Sequence, residues 1–149
     1  MKNISPKLIK LLKEGYCTPQ ISRIARKTNE PAMTIHYNIK KLEREKAIKS
    51  YKAVFDYEKI GEGFCAFMLV NLSPDEYGNP ENIAEALAKY PEIESIDICT
   101  GDWEMVLKIR AKNQEEYYSF IKNVFSRKGI LKVKSLVSLN QLKNEFIER

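Results

Sequence analysis

Histidine is almost absent from the 149-residue sequence: His36 stands alone. That excludes any metal site needing two imidazoles, and any Ser/His or Cys/His pair not built on that one residue. Most hydrolase chemistries drop out with it. The three cysteines, Cys17, Cys65 and Cys99, are far apart and odd in number, so no disulfide framework or Cys-x-x-Cys metal site is available and buried structural thiols are the expectation. No apolar run approaches the roughly 18 residues of a membrane span. The first ten residues hold no apolar stretch ahead of a small-residue cleavage site. A cytosolic protein with no membrane segment, no metal and no cofactor is expected.

What the sequence does have is charge, unevenly placed. Overall it is 44% hydrophobic and 30% charged with a net charge of +5, a composition that suits one domain or two small ones and sets disorder aside. Residues 1–60 hold 14 Lys and Arg against 6 Asp and Glu, a balance of +8, and the remainder holds 11 against 14, a balance of −3. The first part suits a polyanion. Lysine-rich segments can equally be solvated helix faces.

The first part reads as three short helices and a strand. Ser5-Pro6 places a capping hydroxyl before a proline, and Ile4, Leu8, Leu11 and Leu12 recur at helical spacing up to about Glu14, before Gly15. Thr18-Pro19 repeats the device for a second helix carrying Ile21, Ile24 and Ala25 and ending near Thr28. Asn29 tolerates the left-handed conformation of a sharp turn, and Pro31 marks the third helix. There Ile35, Ile39 and Leu42 form the buried stripe, which leaves Met33, Thr34, His36, Tyr37, Asn38, Lys40, Lys41 and Arg44 outside it. The spacing Ala25, Asn29, Ile35 is that of a helix-turn-helix. In that reading His36, Tyr37 and Asn38 lie near base edges of a DNA major groove, and Lys40, Lys41 and Arg44 near phosphates. A three-helix packing unit with a merely solvated outer face is the other reading. Ser50 to Asp56 alternates polar and apolar and predicts a strand, either a wing or a link to the second part.

The second part reads as β-α-β-β-α-β. Strands are predicted over Phe64 to Leu72, Ile93 to Thr100, Trp103 to Arg110 and Ile130 to Leu139. Asn79-Pro80 caps a helix with Ile83, Leu87 and Tyr90, and Asn113 with Glu116 makes an Asn version of the capping box for a helix through Tyr117, Phe120, Ile121, Val124 and Phe125. Gly101-Asp102 suits a tight hairpin turn. The pattern of residues 140–149 assigns no element. The expected architecture is α+β: a DNA-binding domain over residues 1–49, a linker strand over 50–62, and a ferredoxin-like βαββαβ sandwich over 63–149. One sheet face then lies under two helices and the other stays uncovered, so dimerisation through it is expected.

The chain resembles the Lrp/AsnC, or feast/famine, family of prokaryotic transcription regulators. The resemblance is carried by IHYNIKKLEREKAI at Ile35 to Ile48, the following YKAVFDYEKIG, and TGDWEMVLKI at Thr100 to Ile109. It departs from the family pattern at the start of the third helix, where His36, Tyr37 and Asn38 stand instead of arginines. It departs also at Pro31, at Lys46, where the family usually has glycine, and at Glu104, where aspartate is frequent. The resemblance implies an N-terminal winged helix-turn-helix on pseudo-palindromic double-stranded DNA and a homodimer, often enlarged to a tetramer or octamer. It also implies a free amino acid as effector, bound between dimers against a hairpin loop. That loop is Thr100, Gly101, Asp102, Trp103 and Glu104, with Ser135 the nearest match to a pocket threonine. Backbone at Gly101 allows close approach, and Asp102 can take an α-ammonium group; a plain hairpin turn would select the same two residues. Two other readings share the architecture: an effector-binding companion without DNA binding, and an enzyme similar to the sirohaem decarboxylases, which would need histidine and arginine in the second domain.

Overall fold

A computed structural model describes residues 2–144 together with residues 147 and 148. The chain divides into two compact units, one ending at Val54 and the other beginning at Phe55.

The first unit consists of α1 (Ser5–Lys13), α2 (Ile21–Thr28) and α3 (Ala32–Arg44). Two of the expected caps are corrected. Ser5 is already inside α1, and it is Asn3 whose side-chain oxygen accepts the Ser5 N–H, at 3.0 Å. Helix α2 begins two residues beyond Pro19, because the Gln20 carbonyl receives the first helical N–H groups, those of Arg23 and Ile24. Asn29 has φ 55° and sends its N–H to the Ala25 carbonyl, which also accepts from Glu30. This left-handed residue turns the chain into Pro31 and α3. Past α3 the N–H of Ala47 reaches Leu42 O and that of Lys46 reaches Glu43 O, a Schellman closure that holds Lys46 at φ 56°. Gly15, at φ 94°, ends α1; a Cβ there would stand 2.9 Å from the Tyr51 carbonyl oxygen. No residue of the three helices is fully buried. Ile35 and Ile39 are half-buried, but Leu42 is 41% exposed, so the expected buried stripe closes only over its first part.

The strand expected over Ser50 to Asp56 is not formed: among the described residues the segment has no ladder partner. Its period of two survives in the burial, with Tyr51, Ala53, Phe55 and Tyr57 half-buried and Lys52, Val54, Asp56 and Glu58 exposed.

The second unit runs β1 (Phe64–Leu72), a 3-10 turn at Pro74–Glu76, α4 (Glu81–Leu87), β2 (Ile93–Ile98), β3 (Met105–Ala111), α5 (Gln114–Val124) and β4 (Ile130–Val137). The sheet order is β2-β3-β1-β4 with every neighbour antiparallel, which is the ferredoxin-like arrangement of a split βαβ pair. Alternation decides the faces. Ala66, Met68, Val70 and Leu72 of β1 and Met105, Leu107 and Ile109 of β3 are buried against Ile83 and Leu87 of α4 and Tyr117, Phe120 and Val124 of α5. Each buried Val, Leu, Ile or Met side chain contributes about 1.5–3 kcal/mol by leaving water. The Phe120 ring meets Tyr90 and Phe125 edge-on, at 5.7 and 6.0 Å between centroids. At the start of α5 the Asn113 side chain accepts the Glu116 N–H at 2.9 Å, while Glu116 returns to the N–H of Lys112, one residue upstream of the reciprocal bond expected.

Ends differ from expectation where a strand or helix loses its partner. β2 stops at Ile98, β4 at Val137 and α4 at Leu87; Pro80 flanks α4, and Asn79 accepts the Asn82 N–H with its backbone carbonyl and not with its side chain. Lys143–Asn144 pairs antiparallel with Ile147–Glu148. On the sheet face opposite the helices Phe67 and Leu136 are 37% and 47% exposed, beside half-buried Leu69 and Val106, so a single chain leaves apolar surface uncovered there.

Candidate functional site

Two places carry the residues singled out from the sequence. On α3, Met33, His36, Tyr37 and Lys40 stand at i, i+3, i+4 and i+7 and form one stripe, continued by Arg44. All five are exposed, Met33 at 85% and Tyr37 at 62%. The Arg44 guanidinium lies 6.0 Å from the Tyr37 ring centroid. Lys40 pairs with Glu43 at 2.7 Å, which raises the lysine's pKa, and Lys41 lies 3.9 Å from Glu45. Both pairs are open to water, so they cost little to exchange for another anion. Thr34 and Asn38 lie on the flank of the stripe. The Asn38 amide donates to the Thr34 carbonyl at 2.8 Å and is turned onto its own helix. Arg23, Arg26 and Lys27 of α2 line one shallow basin; their i, i+3, i+4 spacing was visible in the sequence but was not singled out.

The loop between β2 and β3 is wider than a two-residue hairpin. The Cys99 N–H donates to the Glu104 carbonyl at 2.8 Å, which leaves Thr100, Gly101, Asp102 and Trp103 in the loop. Gly101 sits at φ 107°, a conformation open to glycine and strained for other residues. Asn71, near the end of β1, donates its amide to the Asp102 carbonyl and, at 3.2 Å, to the Glu104 carboxylate. The same Glu104 oxygen accepts the Leu72 N–H at 2.9 Å, and the Glu104 N–H donates to Val70 O. Burial pushes the Glu104 carboxyl upward, but the bonds from Leu72 and Asn71 outweigh it and hold the group below the usual carboxylate range. Glu104 is therefore engaged by its own chain. The exposed Asp102 carboxylate meets no side chain among the described residues. Trp103 is half-buried with the Lys132 ammonium 5.6 Å from its ring centroid.

Thr100 to Glu104 are thus brought together, and Ser135 is not brought to them. It pairs with Met68, two residues short of Val70, and accepts a 2.7 Å bond from the Tyr117 hydroxyl on the helix-covered face. Asn71 and Lys132 join the loop instead. Nothing local in the sequence marks either, because both arrive through strand register.

A third cluster lies on the open sheet face. Arg110, only 7% exposed, donates to Glu94 at 2.8 and 3.3 Å; Lys108 reaches the same carboxylate at 3.0 Å, and the Tyr57 ring lies 3.8 Å from the guanidinium. Both cations are engaged within the cluster, Arg110 by Glu94 and the Tyr57 ring and Lys108 by Glu94 and the Asn144 side chain, so it reads as structural. No helix among the described residues is long and apolar enough to cross a membrane.

Comparison with known proteins gives these features a common context. Residues 65–147 match the family model of the Lrp/AsnC ligand binding domain. The HTH-type transcriptional regulator FL11 of Pyrococcus horikoshii is 37% identical over 130 residues, 87% of this chain and 83% of its own length. Another HTH-type transcriptional regulator, from Pyrococcus furiosus, is 32% identical over 85% of each chain. Among solved structures, an AsnC family transcriptional regulator from Agrobacterium tumefaciens superimposes with a TM-score of 0.76 at 20% identity, over 97% of this chain and 94% of its own. A transcriptional regulator from Neisseria meningitidis, solved as a complex with L-methionine, gives 0.75 at 20% identity over 97% and 93%. The chain belongs to the Lrp/AsnC family and is a transcriptional regulator of that type.

Proposed function

We propose that this regulator reads double-stranded DNA sequence-specifically through α3, the second helix of a winged helix-turn-helix formed with α2, and that it acts by binding and not by catalysis, in the cytosol. Its domains are residues 1–49 for DNA, 50–62 as linker and 63–149 for effector and assembly. The observation that carries the reading is the outer stripe of α3. Met33, His36, Tyr37, Lys40 and Arg44 are left uncovered by the unit's own fold, in a segment whose balance is +8. Thr34, Asn38 and Lys41 flank them. The uncovered sheet face supports a homodimer, with closure to a tetramer or octamer, and a two-fold dimer places half-sites about one helical turn apart on a pseudo-palindromic operator, ~10 base pairs or a multiple.

A free amino acid is the effector in this reading, as supported by the methionine complex of the Neisseria relative. Asp102 would meet its ammonium group, with Thr100, Gly101 and Trp103 around it, and Glu104 shapes the loop. A ligand seated between subunits shifts assembly by its differential affinity for the two states. Selection from random duplexes tests the DNA reading, and the absence of any enriched motif overturns it. A thermal-shift screen of the twenty amino acids, with sedimentation of the hits, tests the effector reading; it fails if no amino acid changes either melting or assembly.

A further inference from the structure

We infer that a groove beside α3 seats thymine C5-methyl groups, so that one or two base pairs of each half-site are chosen by methyl contact. The inference rests on the DNA-binding reading above. The groove has a volume of about 540 Å³ and is lined by Ile21 of α2 with Ala32, Met33, His36, Tyr37 and Lys40 of α3. Its walls are almost wholly carbon.

Such a surface is out of place on the solvent side of a helix. Ile35 and Ile39 supply the stripe that packs inward, and the fold makes no use of Met33 at 85% exposure. An exposed apolar patch bordered by charge marks a contact surface. Here the border on α3 is cationic, with Lys40 lining the groove and the Arg44 guanidinium 6.0 Å from the Tyr37 ring centroid. Charge complementarity selects a polyanion as occupant. Within a major groove the thymine methyl is the apolar feature on a base edge, while the other edges present donors and acceptors. Asn38, whose amide has the geometry for adenine, is bonded to Thr34 within its own helix, which shifts discrimination toward the apolar stripe. Met33 is unbranched and adapts its shape to a methyl, and Tyr37 is flanked by Arg44 at 6.0 Å.

The test uses the full-length protein and an operator obtained by selection, with each thymine replaced in turn by deoxyuridine, which lacks only the methyl. Burial of one methyl corresponds to about a fourfold change in affinity. One or two positions per half-site are expected to lose about that factor, and in Met33→Ala, which alters no buried contact, the loss at those positions should shrink to less than about twofold. The inference is overturned if no uracil substitution weakens binding, if the selected motif fixes no thymine in either half-site, or if the uracil penalties persist unchanged in both Met33→Ala and Tyr37→Ala. If no duplex is enriched at all, the DNA-binding reading itself has failed and the groove assignment falls with it.

Discussion

The Glu104 carboxylate accepts the backbone N–H of Leu72 at 2.9 Å, so a side chain at the foot of the β2–β3 loop closes the open end of β1. Asn71 bonds the same carboxylate and the Asp102 carbonyl, and together the three residues turn a glycine-containing loop into a fixed platform. Glu104→Ala leaves the Leu72 N–H without its acceptor and is expected to cost about 1 kcal/mol, with faster amide exchange at Leu72; Glu104→Gln, which keeps an acceptor oxygen, should lose less. Because the carboxyl is held below its ordinary value in the fold, this contribution is complete above the unfolded carboxylate pKa and disappears as pH falls through the lowered one. Equal exchange rates at Leu72 in wild type and Glu104→Ala would contradict it.

Glu94 holds the Arg110 guanidinium under the Tyr57 ring. Burial raises the Glu94 carboxyl, but hydrogen bonds from Arg110 and Lys108 bring it below the usual range. Glu94→Ala strands a buried cation and should destabilise the second unit by about 2 kcal/mol. That is less than the roughly 3–5 kcal/mol of a fully buried pair, since Glu94 keeps contact with water. In wild type the stabilisation is lost as pH falls through the depressed value, and in Glu94→Ala that acid-side loss should be diminished. Urea denaturation across a pH series reads both effects.

Lys46 carries a side chain at φ 56° within the Schellman closure of α3. A left-handed conformation costs a non-glycine residue about 1–2 kcal/mol, and glycine removes that strain while keeping both closing hydrogen bonds. Lys46→Gly should therefore stabilise the first unit by about 1 kcal/mol, and Lys46→Val should destabilise it. Thermal melts of the two variants that move in the same direction would refute the assignment.

DNA affinity is expected to fall steeply with salt. If Lys41 and Arg44 each neutralise a phosphate, replacing either by alanine lowers the slope of log K against log salt by about 1 and weakens all duplexes alike. Binding titrations at four salt concentrations measure this. A slope unchanged in both variants would move the phosphate contacts elsewhere.

At the loop, Asp102→Ala should weaken a bound amino acid by about 1.5–3 kcal/mol, the range for a hydrogen bond to a charged group. The fold should be spared, because the Asp102 contact that holds the loop is made by its backbone carbonyl. Calorimetry on any hit from the amino-acid screen decides it, and equal affinity in the variant returns Gly101-Asp102 to a plain turn.

Much of this molecule was legible in short-range patterns. The nearly continuous apolar run of Phe64 to Leu72 marked a buried strand, and alternation along Met105 to Arg110 marked its core face; Asn113 with Glu116 marked the start of α5; Asn29 marked the turn before α3. Each is a matter of a few neighbouring residues obeying periods of two or 3.6, or relieving one strained φ. Patterns failed where local chemistry had a competitor. Ser5 and Thr18 had the right side chains for caps, yet Asn3 and the Gln20 carbonyl took those roles. Ser50 to Asp56 had the strand period but, among the described residues, no neighbouring strand to complete its hydrogen bonds.

The sequence alone determined which residues could face a core, where the chain could turn, and which helix carried the cations. Only the tertiary structure decided how the polar side chains were spent. Register across β1, β3 and β4 delivered Asn71 and Lys132 to the loop and sent Ser135 to Tyr117. It also gave Glu104 the Leu72 N–H to hold. Helix packing likewise left Met33 and Tyr37 beside Ile21 in one apolar groove. The physical reason is that a hydrogen bond or a wall needs two partners at a set distance, and for partners tens of residues apart that distance is fixed by the fold as a whole and not by any local pattern.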